Sequence, residues 1–152
     1  MKKMMKTFIF TIAMVFVASC GKEQAGSTNM VDDFLPVDEA FKYSAQVIDK
    51  STIKAMWKIA DGYHLYKNKL KFSVSPSAYQ LVNIDYPKGE MIDDKIFGRQ
   101  ESYSGQLEVV IKLDAKQSSE KLVLESAYQG CADKGLCYPP EKRKTTLDIN
   151  SI

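Results

Sequence analysis

The stretch Tyr128-Gln129-Gly130-Cys131-Ala132-Asp133-Lys134-Gly135-Leu136-Cys137-Tyr138-Pro139-Pro140 decides how the chain is read. Two cysteines stand with five residues between them, one glycine directly before the first and another inside the interval. Such spacing lets a short loop fold back until the two sulfurs meet. Gly130 and Gly135 are expected to supply the positive φ of a tight reversal. Pro139 and Pro140 have no N–H to give to a ladder, so a return strand starts only after them. The stretch reads as a disulfide across a loop between two strands, either a staple or a reagent.

Working outward, the flanking sequence alternates. Leu122, Leu124, Ser126 and Tyr128 run into the loop, and a last strand is expected around Lys144 to Ile149. Upstream, Phe41, Tyr43, Ala45 and Val47 share one strand face, and Ile53, Ala55, Trp57 and Ile59 share another, so the lone Trp57 points to the core. Asp61-Gly62 is a turn, followed by Tyr63 to Tyr66, by Leu70, Phe72 and Val74, and by a strand from Tyr79 to Tyr86. Leu107, Val109, Ile111 and Leu113 alternate as well. Met91 to Gln106 lacks a clear period and is expected to be a long loop, and Phe34 to Phe41 a short or single-turn lead-in. Roughly eight or nine short strands with frequent turns predict an antiparallel β-sandwich. No βαβ pattern and no Cys-x-x-Cys at a helix start is present, which argues against a thioredoxin fold.

The chain opens with a basic segment, Met1 to Lys6, then an apolar run, Thr7 to Val17, too short to span a bilayer as a helix. Val17-Ala18-Ser19-Cys20 resembles a bacterial lipobox, so residues 1–19 are read as a lipoprotein signal peptide and Cys20 as the acylated residue. Residues 20–30 read as the lipidated cysteine with a polar tether, and 31–152 as one domain. Removing residues 1–19 takes away three lysines and no acid, turning the formal charge from +2 to −1. There is no electrostatic case for nucleic acid. Cys131 and Cys137 are then the remaining thiols, and export favours their pairing. A loop this short stabilises the fold by only about 2 kcal/mol.

The residues YQGCAD (128–133) and CYPPE (137–141) resemble the N-terminal periplasmic domain of the DsbD family of transmembrane thiol:disulfide interchange proteins. FLPVDEAF (34–41), WKIADGY (57–63), Leu65-Tyr66 and Gly98 fall in the family's order and spacing. The resemblance implies an immunoglobulin-like antiparallel β-sandwich and a thiol:disulfide oxidoreductase of the protein-disulfide reductase type. Cys131 and Cys137 would be the redox pair, with Cys137 the sulfur that partners attack. The implied acceptors are thioredoxin-fold periplasmic proteins, a disulfide isomerase or a cytochrome c maturation thioredoxin. The implied donor is a thioredoxin-like domain or membrane reductase. A cap loop at Asp93 to Gly98 would shield the pair, with Asp94 matching an acid of that loop and Tyr66 an aromatic beside the site. Lys95 stands where the family has a second acid, His64 where it has a tyrosine, and Ile96 at the place of a capping phenylalanine, followed by Phe97. Tyr138 is a further candidate beside the pair. No eight-helix membrane domain or thioredoxin-like domain follows, so the expectation is a stand-alone carrier, lipid-anchored to the inner or outer membrane of a Gram-negative periplasm.

Other chemistries remain open. Two thiols and the single imidazole, His64, could be assembled for copper or zinc, but their spacing does not call for it, and no cofactor is expected. A Cys–His nucleophile lacks an oxyanion motif. The alternative function is a lipid-anchored sandwich for binding or assembly, whose disulfide is purely structural. A reduction potential below about −300 mV would favour that alternative.

Overall fold

The computed structural model describes residues 34–115 and 121–149. The expected signal peptide, Cys20 and tether lie outside these residues. A single helical turn, Val37–Ala40, leads into β1 (Phe41–Asp49) and β2 (Thr52–Ile59). The chain continues through β3 (Tyr63–Tyr66), β4 (Lys71–Ser75), β5 (Tyr79–Asp85), β6 (Glu90–Asp94) and β7 (Gly98–Tyr103). It ends with β8 (Gln106–Ala115), β9 (Leu122–Tyr128), the short β10 (Gly130–Ala132) and β11 (Glu141–Leu147).

Among the described residues all pairings are antiparallel, in three sheets ordered β1-β2-β8-β5, β10-β3-β7-β6 and β11-β9-β4. Alternation explains the layers. In β2, Ile53, Ala55, Trp57 and Ile59 are buried while the residues between them are less so. Trp57 packs between the layers, 4.9 Å from the Tyr43 ring on β1, 6.1 Å from Phe72 on β4 and 5.7 Å from Tyr128 on β9. The Tyr43 hydroxyl also meets Ser126 Oγ at 2.8 Å across the same interface. The antiparallel sandwich expected from the sequence is therefore present.

Three expectations need correction. Met91 to Gln106 is not a long loop: most of it forms the β6–β7 hairpin, paired from Glu90↔Ser102 to Asp94↔Gly98. Its connection is Lys95-Ile96-Phe97, closed by Gly98 at φ 71°, the left-handed residue that three-residue hairpin loops favour. The last strand starts at Glu141, directly after the prolines, three residues before the expected Lys144. Gly135 has positive φ (105°), but Gly130 does not. Glycine is needed at 130 for close approach: a Cβ there would lie 2.5 Å from the His64 carbonyl oxygen and 2.5 Å from Phe41 Cζ.

The strands position the cysteine loop by a change of sheet. Gln129 kinks the chain out of β9, and its carbonyl accepts from the Tyr66 N–H at 3.2 Å. The chain then pairs as β10 with β3, setting Gly130 opposite Leu65, Cys131 opposite His64 and Ala132 opposite Tyr63.

Candidate functional site: a loop disulfide under a hairpin tip

Cys131 and Cys137 form a disulfide across an isolated antiparallel bridge. The loop between them is held by its backbone too. The Ala132 N–H donates to the Leu136 carbonyl at 2.7 Å, the Gly135 N–H to Ala132 at 2.8 Å, and the Tyr138 N–H to Gly130 at 3.0 Å. The Asp133 N–H donates to the Gly62 carbonyl at 2.8 Å, which ties the loop to the turn before β3. The two sulfurs are unequal: Cys131 is 1% exposed, whereas Cys137 is only half-buried.

Period two on β3 puts His64 and Tyr66 on one face, and Cys131 sits directly opposite His64. The Tyr66 hydroxyl lies 3.2 Å from Cys131 Sγ and 3.1 Å from His64 Nε2, and donates to Asp94 Oδ2 at 2.6 Å. His64 Nδ1 is 2.8 Å from Asp133 Oδ1. Burial, reinforced by the hydrogen bond to Asp94, pushes the Tyr66 phenol far above its ordinary value, so it stays a neutral O–H. The Asp94 carboxyl is held below its usual range, first by the Tyr66 hydroxyl and then by the Phe97 and Ile96 N–H groups, each 2.7 Å from Oδ1. Asp94 is thus both the turn-former of the hairpin tip and the acceptor for Tyr66.

The remaining candidates fall around a cleft of about 800 Å³ that includes both cysteines, His64, Asp94, Lys95 and Ile96. Ile96 is 63% exposed at its rim. Phe97 turns inward, its ring edge-on to Tyr66 at 5.2 Å and beneath Lys69 Nζ at 4.7 Å. Tyr138 points elsewhere: its ring meets Phe41 at 5.5 Å and Tyr63 at 6.2 Å, and its hydroxyl donates to the Leu35 carbonyl at 2.5 Å. Asp133, not singled out from the sequence, joins the site through His64. It lies inside the 128–133 motif, but only the pairing of β10 with β3 shows what it touches. Glu101, also missed, braces the hairpin by accepting from Lys67 Nζ at 2.8 Å and from the Gly89 N–H at 2.9 Å. Among the described residues, no three His, Cys, Asp or Glu side chains converge as metal ligands.

Fold and site together define a class: an antiparallel β-sandwich with a disulfide in a strand-to-strand loop, one sulfur sealed and one reachable. The chain belongs to the family "Thiol:disulfide interchange protein DsbD, N-terminal", whose model matches residues 31–149. It is 38% identical over 115 residues to Thiol:disulfide interchange protein DsbD 1 of Pseudomonas aeruginosa, covering 76% of this chain and 19% of that protein. The chain thus spans about a fifth of the length of that relative. Among solved structures it resembles the reduced DsbD N-terminal domain of Neisseria meningitidis, with 33% identity and a TM-score of 0.68, covering 76% of this chain and 90% of that one. It also resembles that organism's DsbD N-terminal domain in complex with the PilB N-terminal domain, at 32% identity and a TM-score of 0.64, over 75% of this chain and 87% of that one. The sandwich is therefore immunoglobulin-like, as the sequence resemblance implied.

Proposed function

We propose that this domain is a periplasmic thiol–disulfide carrier that passes reducing equivalents through Cys131 and Cys137 to thioredoxin-fold proteins. The observation that carries this reading is the inequality of the two sulfurs. A partner thiolate can approach half-buried Cys137, while Cys131, 1% exposed, is placed to leave and later to resolve. Attack on Cys137 Sγ breaks the S–S bond, forms a mixed disulfide and sends the electron pair to Cys131. A second partner thiolate then releases Cys137, so the partner gains a disulfide and this pair gains two electrons and two protons. The reverse sequence delivers them to an acceptor such as a disulfide isomerase or a cytochrome c maturation thioredoxin.

Two observations support the reading: the family match and the related domain's complex with the PilB N-terminal domain. The cap also belongs to this proposal: Asp94, Lys95, Ile96 and Phe97 shield the pair until a partner displaces the hairpin tip. Acylation at Cys20 holds the domain at a membrane, where tethering raises its effective concentration for membrane-bound donors. Cys20→Ser should release the protein from the membrane fraction.

The deciding experiment is a trap. Cys131→Ser leaves Cys137 unable to resolve a mixed disulfide, so periplasmic extracts should yield thiol-sensitive covalent adducts with thioredoxin-fold proteins. Absence of any adduct would remove the main support for a carrier.

A further inference from the structure

We propose that His64, backed by Asp133, is a positioning residue that carries the proton of buried Cys131 to and from solvent through Tyr66. The proposal rests on the exchange reading above and deepens it. Cys131 is the sulfur that must accept the electron pair when the disulfide opens. A thiolate there is disfavoured by burial and by the anionic Asp94 one hydroxyl away. It therefore needs a proton at the moment of release, and must lose one before it can attack again. Its surface is sealed, so the proton has to come through a neighbour.

The neighbour is the Tyr66 hydroxyl, 3.2 Å from Sγ. Behind it stands His64 Nε2 at 3.1 Å, and behind that ring the Asp133 carboxylate, 2.8 Å from Nδ1. The His64 side chain is only 12% exposed, but that of Asp133 is 65% exposed. Three consecutive contacts thus run from a solvated carboxylate to a sealed sulfur.

With Asp133 accepting from Nδ1–H, Nε2 is the position where one proton comes and goes. During reduction, a partner thiolate attacks Cys137 Sγ and the S–S electron pair moves to Cys131 Sγ. Tyr66 gives that sulfur its hydroxyl proton, and Nε2–H of the imidazolium refills the phenol oxygen. His64, which lines the cleft, regains its Nε2 proton from water there, with Nδ1–H still donated to Asp133. In the reverse step, the Cys131 thiol proton passes to the Tyr66 oxygen while the phenol proton moves to Nε2. The freed sulfur pair then attacks Cys137 Sγ of the mixed disulfide and expels the partner thiolate. Asp94, at 2.6 Å, holds the Tyr66 proton between these events.

The test follows resolution of a mixed disulfide. The reduced full chain is mixed with oxidised glutathione, quenched in acid and weighed by mass spectrometry for the Cys137–glutathione adduct. The parent should pass through the adduct without accumulating it. His64→Ala should accumulate it, with resolution slowed about tenfold or more, and imidazole in the buffer should restore the rate. His64→Gln retains an amide that can hydrogen-bond to its neighbours but cannot gain and lose a proton, so it should stay slow at an unchanged melting temperature. Parental rates in the Gln variant, or a slow Ala variant that ignores imidazole, would overturn the relay. A parent that forms neither adduct nor disulfide would sink the exchange reading itself, and the relay with it.

Discussion

The Tyr66 hydroxyl and Asp94 Oδ2 are joined by a 2.6 Å hydrogen bond, which ties the tip of the β6–β7 hairpin to the strand beneath the sulfurs. Because the same carboxylate accepts the Ile96 and Phe97 N–H groups, the hairpin's shape and its docking depend on one charge.

Asp94→Asn removes that charge with little change in shape. The folded pKa of Asp94 lies below its ordinary 3.8, chiefly because of Tyr66. A carboxylate so depressed adds stability above its unfolded pKa and loses it as pH falls through the folded one. The parent should therefore exceed Asp94→Asn by about 1 kcal/mol at neutral pH, a modest figure because the group is partly solvated. The gap should narrow as pH falls below 3.8. Urea unfolding at neutral and strongly acidic pH reads both values, and an equal gap at both would contradict the assignment.

The two apolar residues of the tip should behave differently. Ile96 is largely solvated, so Ile96→Ala should leave stability within about 0.5 kcal/mol of the parent. Phe97→Ala removes the ring that stands against Tyr66 and should cost about 1 kcal/mol. It should also speed alkylation of the reduced pair by a small reagent several-fold. A lower melting temperature with unchanged alkylation would mean that Phe97 is packing and not a shield.

Gly130→Ala should be among the more damaging small substitutions. The added methyl meets backbone at His64 and the Phe41 ring, neither of which is a flexible chain end. We expect a loss of about 3 kcal/mol and slower exchange, since β10 must shift and takes Cys131 with it. Gly135→Ala meets no atom and should cost only the strain of its positive φ, about 1–2 kcal/mol. Thermal melts of both variants, with glutathione exchange rates, test the contrast; equal and small losses would refute it.

The sandwich was legible wherever burial imposed alternation. Phe41 to Val47 and Ile53 to Ile59 announced their inward faces, and Trp57 lies where its period put it. The β6–β7 hairpin was silent because pairing, not burial, holds it: Met91 and Arg99 are exposed, and only Ser102 and Tyr103, at its end, are buried. A strand with two solvated faces has no hydrophobic period to read. The start of β11, Glu141-Lys142-Arg143, was silent for a related reason: its half-buried face is carried by the charged Glu141 and Arg143, so the alternation has no apolar signal. The sulfurs and their loop were legible from the motif. The route from Asp133 to Tyr66 was not, because residues 64 and 133 become neighbours only through the pairing of β10 with β3. Gly130 serves close approach and not the positive φ that its place in the loop suggests, and close approach leaves no trace in sequence beyond the glycine itself.

The hydrogen bond from Tyr138 to Leu35, together with that from the Leu35 N–H to the Tyr63 hydroxyl, stitches the incoming chain beside the cysteine loop. β11 then runs away from that loop, from Glu141 opposite Tyr128 to Leu147 opposite Leu122. Entry and exit therefore sit at opposite poles, separated by a strand of about 20 Å. A fluorophore or fused protein placed after Ile149 reports on the domain from its quiet end. The same cargo attached just before Phe34 starts at the cysteine-loop end of the domain, on the side that Tyr138 faces, and stands nearer to anything that comes to exchange with the pair.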